Sequence, residues 1–186
     1  MPDLNALAAR EARYVLRDAT RENHRRVDAA FAAFDLSDRA DYACVLLAHA
    51  RALPALERAV DPAAAWSGWS QRAGLLAADL AELGLPQPAF VGGFSANGPD
   101  ASWGVQYVLE GSKLGGRMLA RRVGVGLPQR YLAPGADAGG WLQFQGELGL
   151  AAQAGGDQWL RKAVTAAKAA FGLFEAAIAL EPEPAR

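Results

Sequence analysis

The sequence predicts an all-α protein, a single bundle of six to eight helices, and three observations carry that prediction. Apolar residues recur every three or four positions through most of the chain. No period-two alternation of the kind a half-buried strand needs competes with them. The interruptions are clusters of glycine and proline, which mark loops between helices. A length of 186 residues suits one domain with a substantial core, and no internal repeat or low-complexity segment divides it.

The first helix reads from about Asp3 to Phe34, with Leu16, Thr20, His24, Val27, Phe31 and Phe34 along one stripe. Asp35 to Asp38 reads as a turn, with Ser37 or Asp38 capping a second helix that carries Tyr42, Leu46, His49, Leu53, Leu56 and Val60 on one face. Pro54 lies inside this helix, where its missing N–H predicts a kink, and Asp61-Pro62 ends it. A third helix is expected from about Trp69 to Leu83, stopped by Gly84 and Pro86. Residues 84–102 then form a long loop, and Trp103 to Val123 form the next helix. Gly124 to Gly140 reads as a second loop, followed by two closing helices, Trp141 to Ala152 and Asp157 to Leu180.

Hydrophobic residues make up 52% and charged residues 21%, the balance of a soluble globular protein. A formal net charge of −1 gives no electrostatic case for nucleic acid or an anionic membrane as partner. The N-terminal stretch is interrupted by charge too often for a signal peptide, and no apolar run approaches a membrane span. A cytoplasmic location is the resulting expectation. Cys44 stands alone, which excludes an internal disulfide and a multi-cysteine metal site.

The helix WGVQYVLEGSKLGGRMLARRV holds Gly111, Gly115 and Gly116 in its interior. Each costs about 1 kcal/mol relative to alanine, so roughly 2–3 kcal/mol of helix preference is given up. Three reasons are available. A glycine turn could divide the stretch into two helices, small residues could let another element approach closely, or bare backbone could lie against a flat ligand.

The sequence has two histidines, each on an apolar stripe, where a lone histidine is ordinarily part of the core. His49 has apolar neighbours and fits that reading. His24 has Arg17 and Arg21 on its own side of the helix and Asp28 one turn later. A carboxylate there can accept the proton of one ring nitrogen and leave the other for a metal, so His24 is the ligand candidate.

The segment LRDATRENHRRVDAAFAAFDL together with YVLEGSKLGG resembles the heme oxygenase family, and most of all its bacterial biliverdin-producing branch, which includes enzymes that supply bacterial phytochromes with chromophore. AKAAFGLFEAAI resembles that family's last helix, so the likeness spans the domain, taken as residues 1–180 with 181–186 as a frayed tail. The resemblance implies heme as both cofactor and substrate, cleaved with O2 and electrons to biliverdin, carbon monoxide and ferrous iron. A ferredoxin or a flavin reductase would supply the electrons. It implies His24 as proximal iron ligand with Asp28 behind it, and Gly111, Gly115 and Gly116 over the other heme face. Gly111, Gly115 and Ser112 would form the catalytic pocket, and Arg17 and Arg21 would meet the propionates.

Two departures stand out. Ser112 occupies the place where mammalian members carry an aspartate that organises the proton-delivering water. The stretch WLQFQGELGL lacks the basic residues that the family places there for the propionates, which leaves Lys113, Arg117 and Lys168 as further candidates. A heme-binding sensor or carrier on the same fold is the alternative function. A thiaminase-type enzyme would need a cysteine nucleophile, and Cys44 reads instead as a small buried hydrophobe. A di-iron site would need Glu-x-x-His pairs, which do not occur.

Overall fold

The structure is a computed structural model that describes residues 4–134 and 139–181, with side chains from Glu11 onward. It holds five α-helices, a short 3-10 turn and, among the described residues, no strand. The elements are α1 (Leu4–Ala32), α2 (Arg39–Arg58), the 3-10 turn Pro62–Ala64, α3 (Ala73–Glu82), α4 (Pro99–Ala120) and α5 (Gly140–Ile178). No helix among the described residues is long and apolar enough to cross a membrane.

The two expected closing helices are both present, joined end to end across a kink within the single run α5. α5 bends at Gly156, whose φ of 63° and ψ of −159° leave helical geometry at that residue alone. Such a positive φ suits glycine, which has no Cβ to clash. α3 starts at Ala73 rather than Trp69 because the Glu57 carboxylate of α2 accepts from Arg72 N at 2.6 Å and Ala73 N at 3.2 Å, capping the helix from outside. α4 starts earlier than expected, at Pro99. Gly98 turns the chain with a φ of 87°, and proline suits the first helical position. Of the two capping candidates for α2, Asp38 is the cap, its Oδ1 accepting from Ala40 N and Asp41 N. Pro54 lies within α2 without ending it.

α5 is the spine, packed along α1 and α4 and touching α2, while α3 lies on α2. The stripes read from sequence meet here: Leu16, Tyr42, Leu46, Leu53, Leu56, Leu109, Phe144 and Leu148 are fully buried. Burial of each such side chain contributes about 1.5–3 kcal/mol. Where α4 crosses α5, Gly104 lies so close that a Cβ on it would overlap the Ala163 carbonyl. α1 and α4 both pack on α5 but scarcely on each other, which leaves a space between them.

The loop after α4 is pinned over one end of that space. Asp79 of α3, fully buried, accepts from Tyr131 N at 2.8 Å and from Arg130 N and Nη1 at 3.2 and 3.0 Å. The Tyr42 hydroxyl donates to Pro128 O at 2.7 Å. At the C-terminus Glu181 pairs with Arg51. The remainder of the expected tail, 182–186, lies outside the described residues.

Candidate functional site

A cavity of about 610 Å³ lies between α1 and α4, backed by α5. Small-molecule sites fall in the range of roughly 300–1,000 Å³. His24 projects into it from α1, its Nδ1 donating to Asp28 Oδ2 at 2.8 Å and its ring edge-on to Phe171 at 5.6 Å. Both partners of this pair are exposed, 61% and 65%. An exposed pair adds at most about 1 kcal/mol of stability. Its consequence is therefore orientation: the carboxylate holds the proton on Nδ1 and leaves the Nε2 lone pair free.

α4 runs unbroken through Gly111, Gly115 and Gly116, which removes the turn reading. The other two readings divide between them. A Cβ on Gly115 would meet nothing within 4 Å, and one on Gly111 only Trp141 Cη2 at 3.9 Å, so both present bare backbone to the cavity they line. Gly116 lines it too, but a Cβ there would come within 2.9 Å of Leu132 O, so this glycine also lets the pinned loop approach α4. Gly115→Ala should therefore stabilise the ligand-free protein by up to about 1 kcal/mol. Gly115→Leu should fill cavity space. Urea unfolding of each variant, read by circular dichroism, checks the first statement, and ligand titration checks the second.

Arg17 and Arg21 line the rim and share one carboxylate, Asp18 Oδ1, at 3.0 and 2.7 Å. Their hydrogen bonds hold the Asp18 carboxyl below its ordinary value. Lys113, Arg117 and Lys168 do not line the cavity. Lys113 is buried on Glu110 at 2.7 Å and over the Trp69 ring.

Sequence reasoning missed Arg72. It comes from the residue just before α3, where no periodic pattern marks it, and it is almost fully buried. Arg72 Nη2 donates to Ser112 Oγ at 2.6 Å and Leu109 O at 3.2 Å, and its guanidinium lies over the Tyr131 ring at 5.0 Å. Ser112 Oγ donates in turn to Leu109 O at 2.7 Å. With its proton committed there, Ser112 can only accept from anything further in the cavity.

His49 is part of the core, as expected, and also part of the cavity wall. Its Nδ1 donates to Val45 O at 2.8 Å, and its ring packs on Phe31, Tyr131 and Phe174. Burial, with Arg72 nearby, pushes its pKa down to about 4. The native ring is thus neutral where the unfolded chain's histidine, near 6.5, is protonated. Stability is fully present above pH 6.5 and falls as the pH drops toward 4, by roughly 3 kcal/mol. His49→Gln should remove that part of the acid sensitivity, measured as unfolding free energy of the ligand-free protein between pH 7 and pH 5.

Two more residues that line the cavity were not singled out from sequence. Arg13 Nη1 donates to Gln145 Oε1 at 3.2 Å, and the buried Gln145 Nε2 has no hydrogen-bond partner. Such a donor costs about 1–3 kcal/mol when left unmet. Cys44 lies off the cavity, half-buried, its thiol pushed up by burial, which makes it a poor nucleophile. No group of three or more His, Cys, Asp or Glu among the described residues could hold a metal ion.

These features define a class: an all-helical protein with a cofactor-sized cavity between two helices, a histidine with one nitrogen free, and cationic donors around it. The chain is similar to the heme oxygenase of Xanthomonas campestris pv. campestris (strain 8004), 34% identical over 161 residues that cover 79% of this chain and 94% of that protein. No family model matches it. The chain belongs to the heme oxygenase family.

Proposed function

We propose that the protein binds heme between α1 and α4 and cleaves it to biliverdin, carbon monoxide and ferrous iron, using O2 and electrons from a ferredoxin or flavin reductase. The observation that carries this reading is His24, whose Nδ1 is bonded to Asp28 and whose Nε2 is free beside a cavity of cofactor size. The surrounding residues fit the group: bare backbone at Gly111 and Gly115, and an unmet donor on Gln145.

When bound, heme supplies oxygen activation and is itself the substrate, so the protein needs few reactive side chains. His24 Nε2 would hold the iron, and Asp28 would keep the imidazole in one tautomer and raise its donor strength. Gly111, Gly115 and Gly116 would let α4 lie close to the ring, leaving room for little beyond a diatomic molecule and water. Arg17 and Arg21 at the rim would meet propionates by charge-assisted hydrogen bonds. Ser112 would hold the Arg72 guanidinium at the wall, and the two together would position water that passes protons inward. Serine at 112, where mammalian members have aspartate, supports the bacterial biliverdin-producing branch, which includes enzymes that supply phytochromes with chromophore.

The test is an optical titration with heme, followed by ascorbate or by ferredoxin with its reductase under air. The expected result is decay of the main heme band with appearance of biliverdin and carbon monoxide. Heme that stays bound and intact through many equivalents of reductant would make the protein a sensor or carrier. No binding at all would end the heme reading.

A further inference from the structure

Four of the five tryptophans lie along one line of neighbouring rings that starts at the cavity. Trp141 stands in the cavity wall beside Tyr107, their ring centroids 6.1 Å apart. Behind it Phe144 stacks on Trp141 at 5.6 Å and on Trp103 at 5.9 Å, with ring planes tilted by 25° and 29°, so these three rings form one stack. From there the line divides. One branch runs from Phe144 to Trp66 at 5.9 Å, the other from Trp103 to Trp159 at 6.4 Å. Trp66, Trp103 and Trp159 are buried and do not line the cavity.

Packing alone does not account for this line. Trp66 is 3% exposed, and its Nε1 has no hydrogen-bond partner among the described residues. A buried indole N–H ordinarily finds an acceptor, and leaving it unmet costs stability that phenylalanine at the same place would keep. A buried polar group left unmet in this way points to a role beyond packing, a redox role among them. Indole differs from phenyl in how readily it gives up one electron. Both branches also end beneath exposed backbone. A Cβ on the exposed Gly68 would overlap the outer edge of the Trp66 ring, and one on the exposed Gly155 would overlap Trp159. Glu147, bonded to Ser67 N and Oγ, sets a carboxylate next to the Trp66 end of the line, where it favours a cationic ring.

We infer that Trp141, Trp103, Trp66 and Trp159 carry electrons one at a time from the surface to the cavity wall, discharging the oxidising equivalents that hydrogen peroxide leaves there; this rests on the heme reading above. Hydrogen peroxide that meets the bound ferric group takes up two electrons and two protons and leaves as two waters. Each electron is drawn from Trp141, which is refilled through the stack from Trp66 or Trp159. A one-electron reductant outside, such as ascorbate, refills these in turn. Two such steps turn ascorbic acid into dehydroascorbate and release two protons, so the sum is peroxide plus ascorbic acid giving two waters and dehydroascorbate. No bond of the protein is made or broken. With no acceptor for its N–H, Trp66 gives up an electron and keeps its proton, so the returning electron restores the same indole.

The experiment loads the full chain with ferric heme, adds one equivalent of hydrogen peroxide with or without ascorbate, and freezes it for electron paramagnetic resonance. Peptide mass spectrometry then maps oxidised rings. Wild-type protein should give an indole radical and oxidised Trp66 and Trp159, and ascorbate should remove both signals. Trp66→Phe together with Trp103→Phe cuts both branches, so oxidation should vanish from Trp159 and shift to Tyr107 and Trp141. Trp66→Phe alone, which loses the unmet N–H and should fold at least as well as wild type, should leave Trp159 as the remote site. Trp69→Phe, outside the line, should leave the wild-type pattern. Circular dichroism accompanies each variant, so that loss of fold in the double variant leaves the single one decisive. Oxidation confined to Tyr107 and Trp141 in wild type, an oxidised Trp159 that persists in the double variant, or equal oxidation of the heme-free chain would overturn the relay. Wild-type protein that binds no heme would instead overturn the heme reading, and the relay with it.

Discussion

His24→Ala should fold normally and fail to give the ferric heme spectrum of the wild type. The fold is spared because His24 and Asp28 are exposed, and an exposed ion pair adds at most about 1 kcal/mol. Alanine also favours a helix over histidine by a few tenths of a kcal/mol, so the ligand-free variant should melt close to wild type. Ligation is lost because no other imidazole at this cavity has the same freedom. His49 has an apolar setting, wedged among Phe31, Tyr131 and Phe174. Added imidazole should fill the space left at position 24 and recover part of the spectrum, whereas His49→Gln should retain ligation without it. Optical spectra of the two variants decide the matter. If the His49 variant alone loses the spectrum, the roles are reversed.

Gly104→Ala should be strongly destabilising. The added Cβ would overlap the Ala163 carbonyl, a backbone atom in the middle of α5 that cannot swing aside as a side chain would. Separating the two helices costs roughly 3 kcal/mol, at the upper end of ordinary overpacking. For a chain of this size that lowers the melting temperature by about 6–12 °C. Gly115→Ala in the same helix is the control and has the opposite sign, since its Cβ would meet nothing. Thermal melts of both ligand-free variants make the comparison. A Gly104→Ala protein that melts with the wild type would mean that α4 and α5 do not approach so closely.

That two glycines of one helix should respond oppositely shows where local sequence information ends. Helical class and most helix positions follow from apolar spacing, because contacts at three and four residues are made within one turn and need no partner element. The His24–Asp28 bond is legible for the same reason: the two residues are one turn apart on α1. The capping of α2 by Asp38 is equally local. The boundary between the two closing helices is local too, written in the glycine pair at which α5 kinks.

The rest depends on what stands opposite. Gly104, Gly111, Gly115 and Gly116 are the same residue type in one helix, yet one faces a carbonyl, two face the cavity, and one faces both cavity and loop. Arg72 meets Ser112 only because Glu57 caps α3 beneath it, and Tyr131 reaches the cavity only because Asp79 holds its loop. Arg13 and Gln145 stand 132 positions apart in the chain. By itself, the sequence determined an all-helical bundle, the candidate ligand on α1 and the glycine-bearing helix α4, since each is written in residues a turn or two apart. Only the tertiary structure decided which glycines open to the cavity and which donors line it, since those properties belong to pairs of residues that packing alone brings together.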